Sequence, residues 1–479
     1  MRFGAKCARC LERRRPLRLP LAVVVSVLAL PSATRAGHLT VAAIADENLT
    51  PGAGCSLREA IIAANANGDH GGCTLDSGSY GADVIDVPAM NYVFTVGASG
   101  ENAAAGGDLD INGDLTIRGA GISRTTIDAD ALDRVFEVRS GTVMFSRLRV
   151  TGGSFDSGGG IRNAGNLRLA DVLVENNTSG SFGGGGIYNG NVLHIVDSDL
   201  IGNTGAFGGA IRNDGTLTVI RSRLILNTGN PNAGGINNNG TALIMESALA
   251  GNSVTSGAGG ALRNGGTLTL VKSTLSSNSS QSRGGGIYNR PTGILRVTNS
   301  TLSGNSDTFF GGGIHNDGGT VALANVTVTG SSPDGIYNWQ GGTVTVRNSI
   351  VALQSGGGPD CAGATLVTSG GHNVVSDASC GFASVEDQPS TDPLLGPLNS
   401  NGGVTFTHAL LAGSPAVDAG APAGCQGDLD GDGLADPLVT DQRGRLRADG
   451  NGDASVVCDV GAYEFAATTT DLIFADGFS

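Results

Sequence analysis

Between about residue 135 and residue 351 the chain repeats short runs of alternating apolar and polar residues, such as Leu217-Thr-Val219, Leu268-Thr-Leu270 and Val344-Thr-Val346. Each run is followed by a Ser/Asn turn and a second apolar pair. Runs of three to five residues with a period of two suit strands and do not suit helices. A Gly-Gly-small-aliphatic-x-Asn phrase punctuates them, reading GGGIRN, GGGIYN, GGAIRN, AGGINN, GGALRN, GGGIYN, GGGIHN and, more weakly, DGIYN. Its asparagines are Asn163, Asn189, Asn213, Asn238, Asn264, Asn289, Asn316 and Asn338, separated by 26, 24, 25, 26, 25, 27 and 22 residues. A second series, Asn177, Asn203, Asn227, Asn252, Asn278 and Asn305, keeps the same step. A repeat of this length with three short strands must turn three times, and stacking the coils buries each strand's apolar residues against the next. The pattern therefore predicts an all-β chain, a right-handed parallel β-helix in which eight regular coils make a rod of roughly 40 Å.

The corners explain the remaining residue types. Asparagine tolerates left-handed backbone angles, and its amide can bond local backbone or an identical amide one coil away. Glycine permits tight corners and close approach of coils. Val84-Ile-Asp-Val87, Leu115-Thr-Ile117 and Val135-Phe-Glu-Val138 read as less regular coils that begin the stack, and the variable turns Thr228 to Asn232 and Asp307 to Phe310 fall on one side of it. A solenoid needs caps at its two open ends. At the first, Ser56 and Glu59 form a capping box opening a helix, with Ile61, Ile62 and Ala64 as its apolar face up to about Asn67. The resulting division is a leader over 1–36, a helical cap over 37–80, a β-helix over 81–351, a small β-rich C-terminal domain over 352–465 and a tail over 466–479.

The leader sets the compartment. Arg13, Arg14, Arg15 and Arg18 precede an apolar run from Leu19 to Leu30, and small residues lead to Ala36. That order is a secretory signal, and the run, interrupted by Pro20 and ended by Pro31, is shorter than the roughly 20 apolar residues a spanning helix needs. No other stretch could span a bilayer as a helix, so the expected location is extracellular or at a bacterial cell surface. The whole chain has 29 Lys/Arg and 43 Asp/Glu; residues 1–36 hold eight of the former and one of the latter, leaving 21 against 42, a net −21. Nucleic acid and anionic lipid are poor partners for such a chain. Six cysteines remain, in three local couples: Cys55 with Cys73, Cys361 with Cys380, and Cys425 with Cys458. Fifteen connectivities are open to six cysteines, and short loops favour pairing within each couple.

Three stretches resemble known families. CSLREAIIAANAN, from Cys55, and the later GGDLDINGDLTIRGAG resemble the CSLREA-motif region of secreted bacterial proteins, which implies export and a β-helix without a settled activity. The Gly-Gly-Ala-Ile and Asn phrases resemble repeats of polymorphic outer-membrane proteins, which are surface adhesins. Asp392-Pro-Leu-Leu through Asp459-Val-Gly-Ala-Tyr-Glu464 resembles the choice-of-anchor Q domain. The 130-odd residues after 351 lack the ten-residue alternating strands of a membrane β-barrel, so self-insertion is not expected. The tail Leu472-Ile-Phe-Ala-Asp-Gly-Phe478 is a candidate sorting signal or a last strand.

Candidate chemistry is sparse. Asp428, Asp430 and Asp432 stand at positions 1, 3 and 5 of an EF-hand-like loop with Gly433 at position 6, and the carbonyl of Leu434 suits position 7. Hard oxygen ligands of this kind point to Ca²⁺ in a structural role. Val439 occupies position 12, so Asp436 or Asp441 must complete the shell. Asp449, Asn451 and Asp453 form a second, weaker candidate. The aspartate pairs Asp108/Asp110 and Asp128/Asp130 do not recur with the coils, bases are few and expected apart from acidic clusters, and His372 reads as a loop residue. No catalytic residues are assigned. The expected role is structural or adhesive, with a binding surface along the coils for a glycan or surface protein; a polysaccharide-degrading lyase or hydrolase is the alternative. Tyr288, Phe309, Phe310, Tyr337 and Trp339 are the candidate contacts.

Overall fold

The computed structural model describes residues 36–48, 54–97, 100–384, 386–422, 424–447 and 457–465. The leader, the tail from 466 and the second acidic motif at Asp449 to Asp453 lie outside them. The main body is an all-β parallel solenoid of eleven turns, roughly 50 Å long at the usual inter-strand spacing. One turn illustrates the rest: Ile236–Asn238, Thr241–Met245, Ala248–Ala250 and Ser253–Val254 each pair in parallel with the equivalent segments of the next turn. The coil thus has four strand segments rather than the three expected. The second and third bend about a serine corner and share one 23-stranded sheet, while the first and fourth build sheets of eleven and seven strands. Thr228–Asn232 and Ser306–Asp307 both belong to the seven-stranded sheet, so the variable turns do share one side.

The period-two pattern places the core. In Thr241–Met245 the inward residues Ala242 and Ile244 are buried and their neighbours face outward. In-register pairing stacks them into columns, for example Ile236 on Leu262 and Leu249 on Leu275, and each fully buried aliphatic side chain contributes about 1.5–3 kcal/mol. Glycines sit where no side chain fits: a Cβ on Gly234 would lie 2.4 Å from the Gly260 carbonyl oxygen of the neighbouring turn.

Both asparagine series form ladders through the interior. Asn163 Nδ2 donates to Asn189 Oδ1 at 2.8 Å, and the chain of amides continues through Asn213, Asn238, Asn264, Asn289 and Asn316 to Asn338. The second runs from Asn177 to Asn305 at 2.9–3.0 Å. These asparagines do not adopt the left-handed backbone expected of them. In the second series the residue before each does, including Leu226 at φ 57 and Ser277 at φ 54, which frees the buried amide to bond along the stack. A third column was not anticipated: Ser198, Ser222, Ser247, Ser273 and Ser300 at the bend, where each backbone N–H donates to the next hydroxyl oxygen at 3.1 Å.

The ends are closed differently. At the first, the helix Leu57–Ala66 carries the expected capping box, Ser56 Oγ accepting from the Glu59 N–H and Glu59 Oε2 accepting from the Ser56 N–H. Ala60, Ile61 and Ala63 are buried in the main core, Ile62 and Ala64 only partly. Arg58 is buried as well, pairing with Asp46 at 2.6 Å and donating to the carbonyls of Ala104 and Gly107, and Cys55–Cys73 pins the segment. A strand at Ala36–Thr40 precedes the helix and pairs with Ser79–Asp86. At the far end the pairing runs one turn past residue 351, through Cys361–Ala362, Thr368–Ser369 and Val374–Val375, and Cys361–Cys380 closes that turn. The chain then folds back along the outside of the stack with two small antiparallel ladders and the bridge Cys425–Cys458. Gln442 ties it down, accepting from Thr301 Oγ1 at 2.6 Å and donating to Thr274 Oγ1 and Thr405 Oγ1 at 2.9 Å.

Replacing Asn227 with Ala removes bonds to Leu200, Asn203 and Asn252 and strands buried polar groups. The expected loss is about 2–4 kcal/mol, against about 0.5 kcal/mol for exposed Asn239→Ala, read from urea unfolding midpoints of the two variants. Equal midpoints would remove the ladder from its proposed role.

Candidate functional site

The eleven-stranded sheet presents the middle residue of each three-residue strand outward while its neighbours face the core. Register converts these positions into one row across the turns: Asp110, Glu137, Arg162, Tyr188, Arg212, Asn237, Arg263, Tyr288, His315 and Tyr337. In sequence they lie some 25 residues apart; in space each is one strand spacing from the next.

At the C-terminal end the row becomes aromatic. Tyr288 meets His315 edge-on at 5.5 Å, His315 stacks on Tyr337 at 4.9 Å, and Tyr337 stacks on Trp339 at 6.0 Å. Phe310 covers them, 4.7 Å from Tyr337, with Phe309 beside it. The turn that carries these phenylalanines is held from below: Asp307 Oδ1 accepts the N–H groups of Phe309 and Phe310 at 2.7 Å, and Asp334 Oδ1 accepts that of Gly311 at 2.8 Å. Burial pushes the Asp334 pKa up to about 7. Arg283, Phe310, His315, Tyr337 and Trp339 line a cavity of about 200 Å³. Phe310 and Trp339 are 43% and 40% exposed, so the rings are reachable, whereas His315 at the floor is 2% exposed.

His315 is the unusual member. Neither ring nitrogen makes a well-formed hydrogen bond. Burial pushes its pKa down to about 4, against a smaller upward pull from the Phe310 backbone, so the ring is neutral near pH 7 with one donor and one acceptor to offer. Asp317 stands nearby, accepting from Tyr288 at 2.7 Å and paired with Arg283 at 3.3 Å. All five aromatic residues singled out in the sequence gather here. His315, Arg283 and Asp317 were missed, although the x of the I-x-N phrase marks the row on which His315 lies.

The acidic loop also comes together: oxygens of Asp428, Asp430 and Asp432 lie within 4.8 Å of one another. Asp428 accepts N–H groups of Gly431 and Gly433 at 2.6 and 2.9 Å and pairs with Arg296 of the solenoid wall at 3.2 Å. Asp430 and Asp432 accept from Asp432 and Leu434, and Asp436 Oδ2 from Leu429. Asp441 is committed elsewhere, fully buried against Arg443 at 2.7 Å. Of the two residues expected to complete the shell, only Asp436 stays with the loop. His372 Nδ1 donates to the Ala419 carbonyl at 3.1 Å and so fastens the returning segment.

Bases do sit with an acidic cluster, contrary to expectation. Asp108, Asp110 and Glu137 are buried together, Arg134 pairs with Asp108 at 3.2 Å and with Glu137 at 3.0 Å, and Arg162 pairs with Glu137. Strand register brings Glu137 opposite Asp110 and Arg162 opposite Glu137, a proximity hidden by their separation along the chain. With every carboxylate buried the group is an ion network closed to a polymer.

The geometry defines an all-β parallel solenoid with an aromatic cavity on its outer sheet. No protein-family model matches the chain, and no curated protein matches it. Among solved structures it is similar to the crystal structure of the pectate lyase Pel9A, with 14% identity and a TM-score of 0.38 over 90% of this chain and 98% of that one. A likeness of that size does not bear on the chemistry of the site.

Burial holds the Asp110 pKa up to about 6, and its Oδ1 has no partner. A carboxyl whose folded pKa is raised favours folding while protonated, so its contribution is complete below about pH 4 and is lost as pH climbs through 6, by about 3 kcal/mol. Asp110→Asn is therefore expected to melt above the wild type at pH 8 and with it at pH 4. A difference that does not change with pH would contradict the assignment.

Proposed function

We propose that this is an exported β-helix protein, displayed at the cell surface or released from it, that binds a glycan in the aromatic cavity of its outer sheet and serves a structural or adhesive role. One observation carries the reading: His315 and Tyr337 stack from adjacent turns and Tyr337 stacks in turn on Trp339 of its own strand, beneath Phe310 and around a neutral imidazole with unused hydrogen-bonding capacity. Aromatic faces suit the apolar faces of sugar rings, and a neutral donor and acceptor suit hydroxyl groups. Export rests on the leader and on three disulfides, which persist in oxidising compartments. The resemblance to CSLREA-motif and choice-of-anchor Q sequences agrees with surface display, with the returning segment as the anchoring candidate. Among the described residues no helix is long and apolar enough to cross a membrane.

Polysaccharide cleavage is the second reading, with no general acid or base assigned to it: Asp334, which accepts the Gly311 N–H under the cavity, is as buried as the Asp108 cluster and does not line the cavity. Calcium is proposed for the acidic loop, with Asp428, Asp430, Asp432 and Asp436 as carboxylate ligands and the Leu434 carbonyl as a fifth, joining the returning segment to the wall beside Arg296.

Native affinity electrophoresis of the mature protein through gels containing a panel of polysaccharides tests the main reading, with each polymer assayed afterwards for new reducing or unsaturated ends. Retardation without cleavage is expected, and Trp339→Ala should weaken it about 30-fold, the value of a 2 kcal/mol contact. Cleavage would install the enzymatic reading instead, and normal retardation of Trp339→Ala would move the site elsewhere. For calcium, chelation should lower the melting temperature of the wild type and leave an Asp430→Asn/Asp432→Asn variant unmoved; a wild-type melt indifferent to chelator would end that proposal.

A further inference from the structure

The cavity is approached by arginines whose pairing is uneven. Along the outward row Arg162 pairs with Glu137 and Arg212 with Asp214 at 2.8 Å, and at the cavity's edge Arg283 pairs with Asp317. Arg263, one turn before Tyr288, is different. Its Nη1 donates to Asn237 Oδ1 at 2.9 Å, its Nε has no partner, and the charge acting on it is that of a second guanidinium, Arg290. Among the described residues no carboxylate pairs with either. Burial, and then the repulsion from Arg290, hold the Arg263 pKa down to about 10. Two neighbouring cations without a counter-ion are costly on any surface and are unexpected on a chain with 43 acidic residues against 29 basic ones. An anion arriving between them would remove the repulsion and gain charge-assisted hydrogen bonds.

The positions are also ordered. Arg263, Tyr288, His315 and Tyr337 are in strict register on four successive strands, the first and last about 14 Å apart at the usual strand spacing. Arg290 follows Tyr288 by two residues, and Arg283, half exposed, lines the cavity itself. A ligand lying over this row meets cations first and the exposed rings of Phe310 and Trp339 second, with Tyr288 and His315 buried beneath it, which suits a linear molecule carrying an anionic group beside a ring that stacks.

We propose that the glycan is acidic and lies along this row, one sugar ring in the aromatic cavity and the carboxylate or sulfate of a neighbouring unit held by Arg263 and Arg290. The inference rests on the glycan-binding reading and adds the class of ligand and its direction. Net negative charge then works against non-specific adsorption of polyanions, leaving this local pair as the point of capture.

Trp339 is the only tryptophan in the chain, so its fluorescence reports occupancy of the cavity directly. The full mature protein would be titrated with uronic-acid oligosaccharides, sulfated oligosaccharides and neutral gluco-oligosaccharides, in the wild type and in Arg263→Gln/Arg290→Gln and Arg263→Lys/Arg290→Lys. Acidic oligosaccharides are expected to bind tightest, to lose about tenfold or more in the glutamine variant, and to be partly restored by lysine. The preferred acidic series distinguishes carboxylate from sulfate. Equal affinity for neutral and acidic sugars, or full affinity in the glutamine variant with an unchanged melting temperature, would overturn the acidic track and leave glycan binding in place. A Trp339 signal indifferent to all three series would overturn both.

Discussion

Every turn of this solenoid must reverse the chain inside a closed stack, where backbone groups at corners leave the strand ladder and water is excluded. The amide columns meet that constraint. Asn227 donates to the Leu200 carbonyl and to Asn252 Oδ1, and its own oxygen accepts the backbone and side-chain N–H groups of Asn203. Each such bond adds about 1 kcal/mol net, whereas an orphaned buried group costs about 1–3 kcal/mol, so the columns matter most through what their absence would leave unpaired. They hold the turns in register although coil length varies: successive amides from Asn163 to Asn338 are 22 to 27 residues apart and still bond at 2.7–3.0 Å, and the variable turns Thr228 to Asn232 and Asp307 to Phe310 fall on the seven-stranded side.

The register that keeps the amides in contact also builds the outer row. Asn289 and Asn316 pair, so Tyr288 and His315 must pair beside them. Side chains a full coil apart become neighbours, and the character of the row can change along its length: an ion network at Glu137 and Arg162, a guanidinium at Arg263 with Arg290 beside it and no carboxylate partner among the described residues, rings from Tyr288 onward. A solenoid thereby offers a linear binding surface without a cleft between domains.

The returning segment reinforces the stack laterally. Gln442, Arg447 and Arg347 cross-link it to the turns at Thr274, Thr301, Asn299 and Arg347 itself, through side-chain and carbonyl bonds at 2.6–2.9 Å. Together with the N-terminal helix and the last disulfide-closed turn, it leaves few strand edges open to pairing with another chain.

The sequence by itself determined the fold class, because a 25-residue period with alternating apolar residues has one economical solution, and because the asparagines and glycines of its corners repeat visibly. The capping box at Ser56 and the three cysteine couples were equally legible, being local. Tertiary structure alone decided which turn residues take left-handed angles, since Leu226 and Ser277 carry no signature of it; that Asp441 turns toward Arg443 and away from the acidic loop; and that Arg134 and Arg162 join Asp108, Asp110 and Glu137. The five aromatic residues could be named from the chain, but not their convergence on His315. Proximity across coils depends on strand register and on the route of each turn, which are set by packing over the whole stack and leave no mark at the residues they bring together.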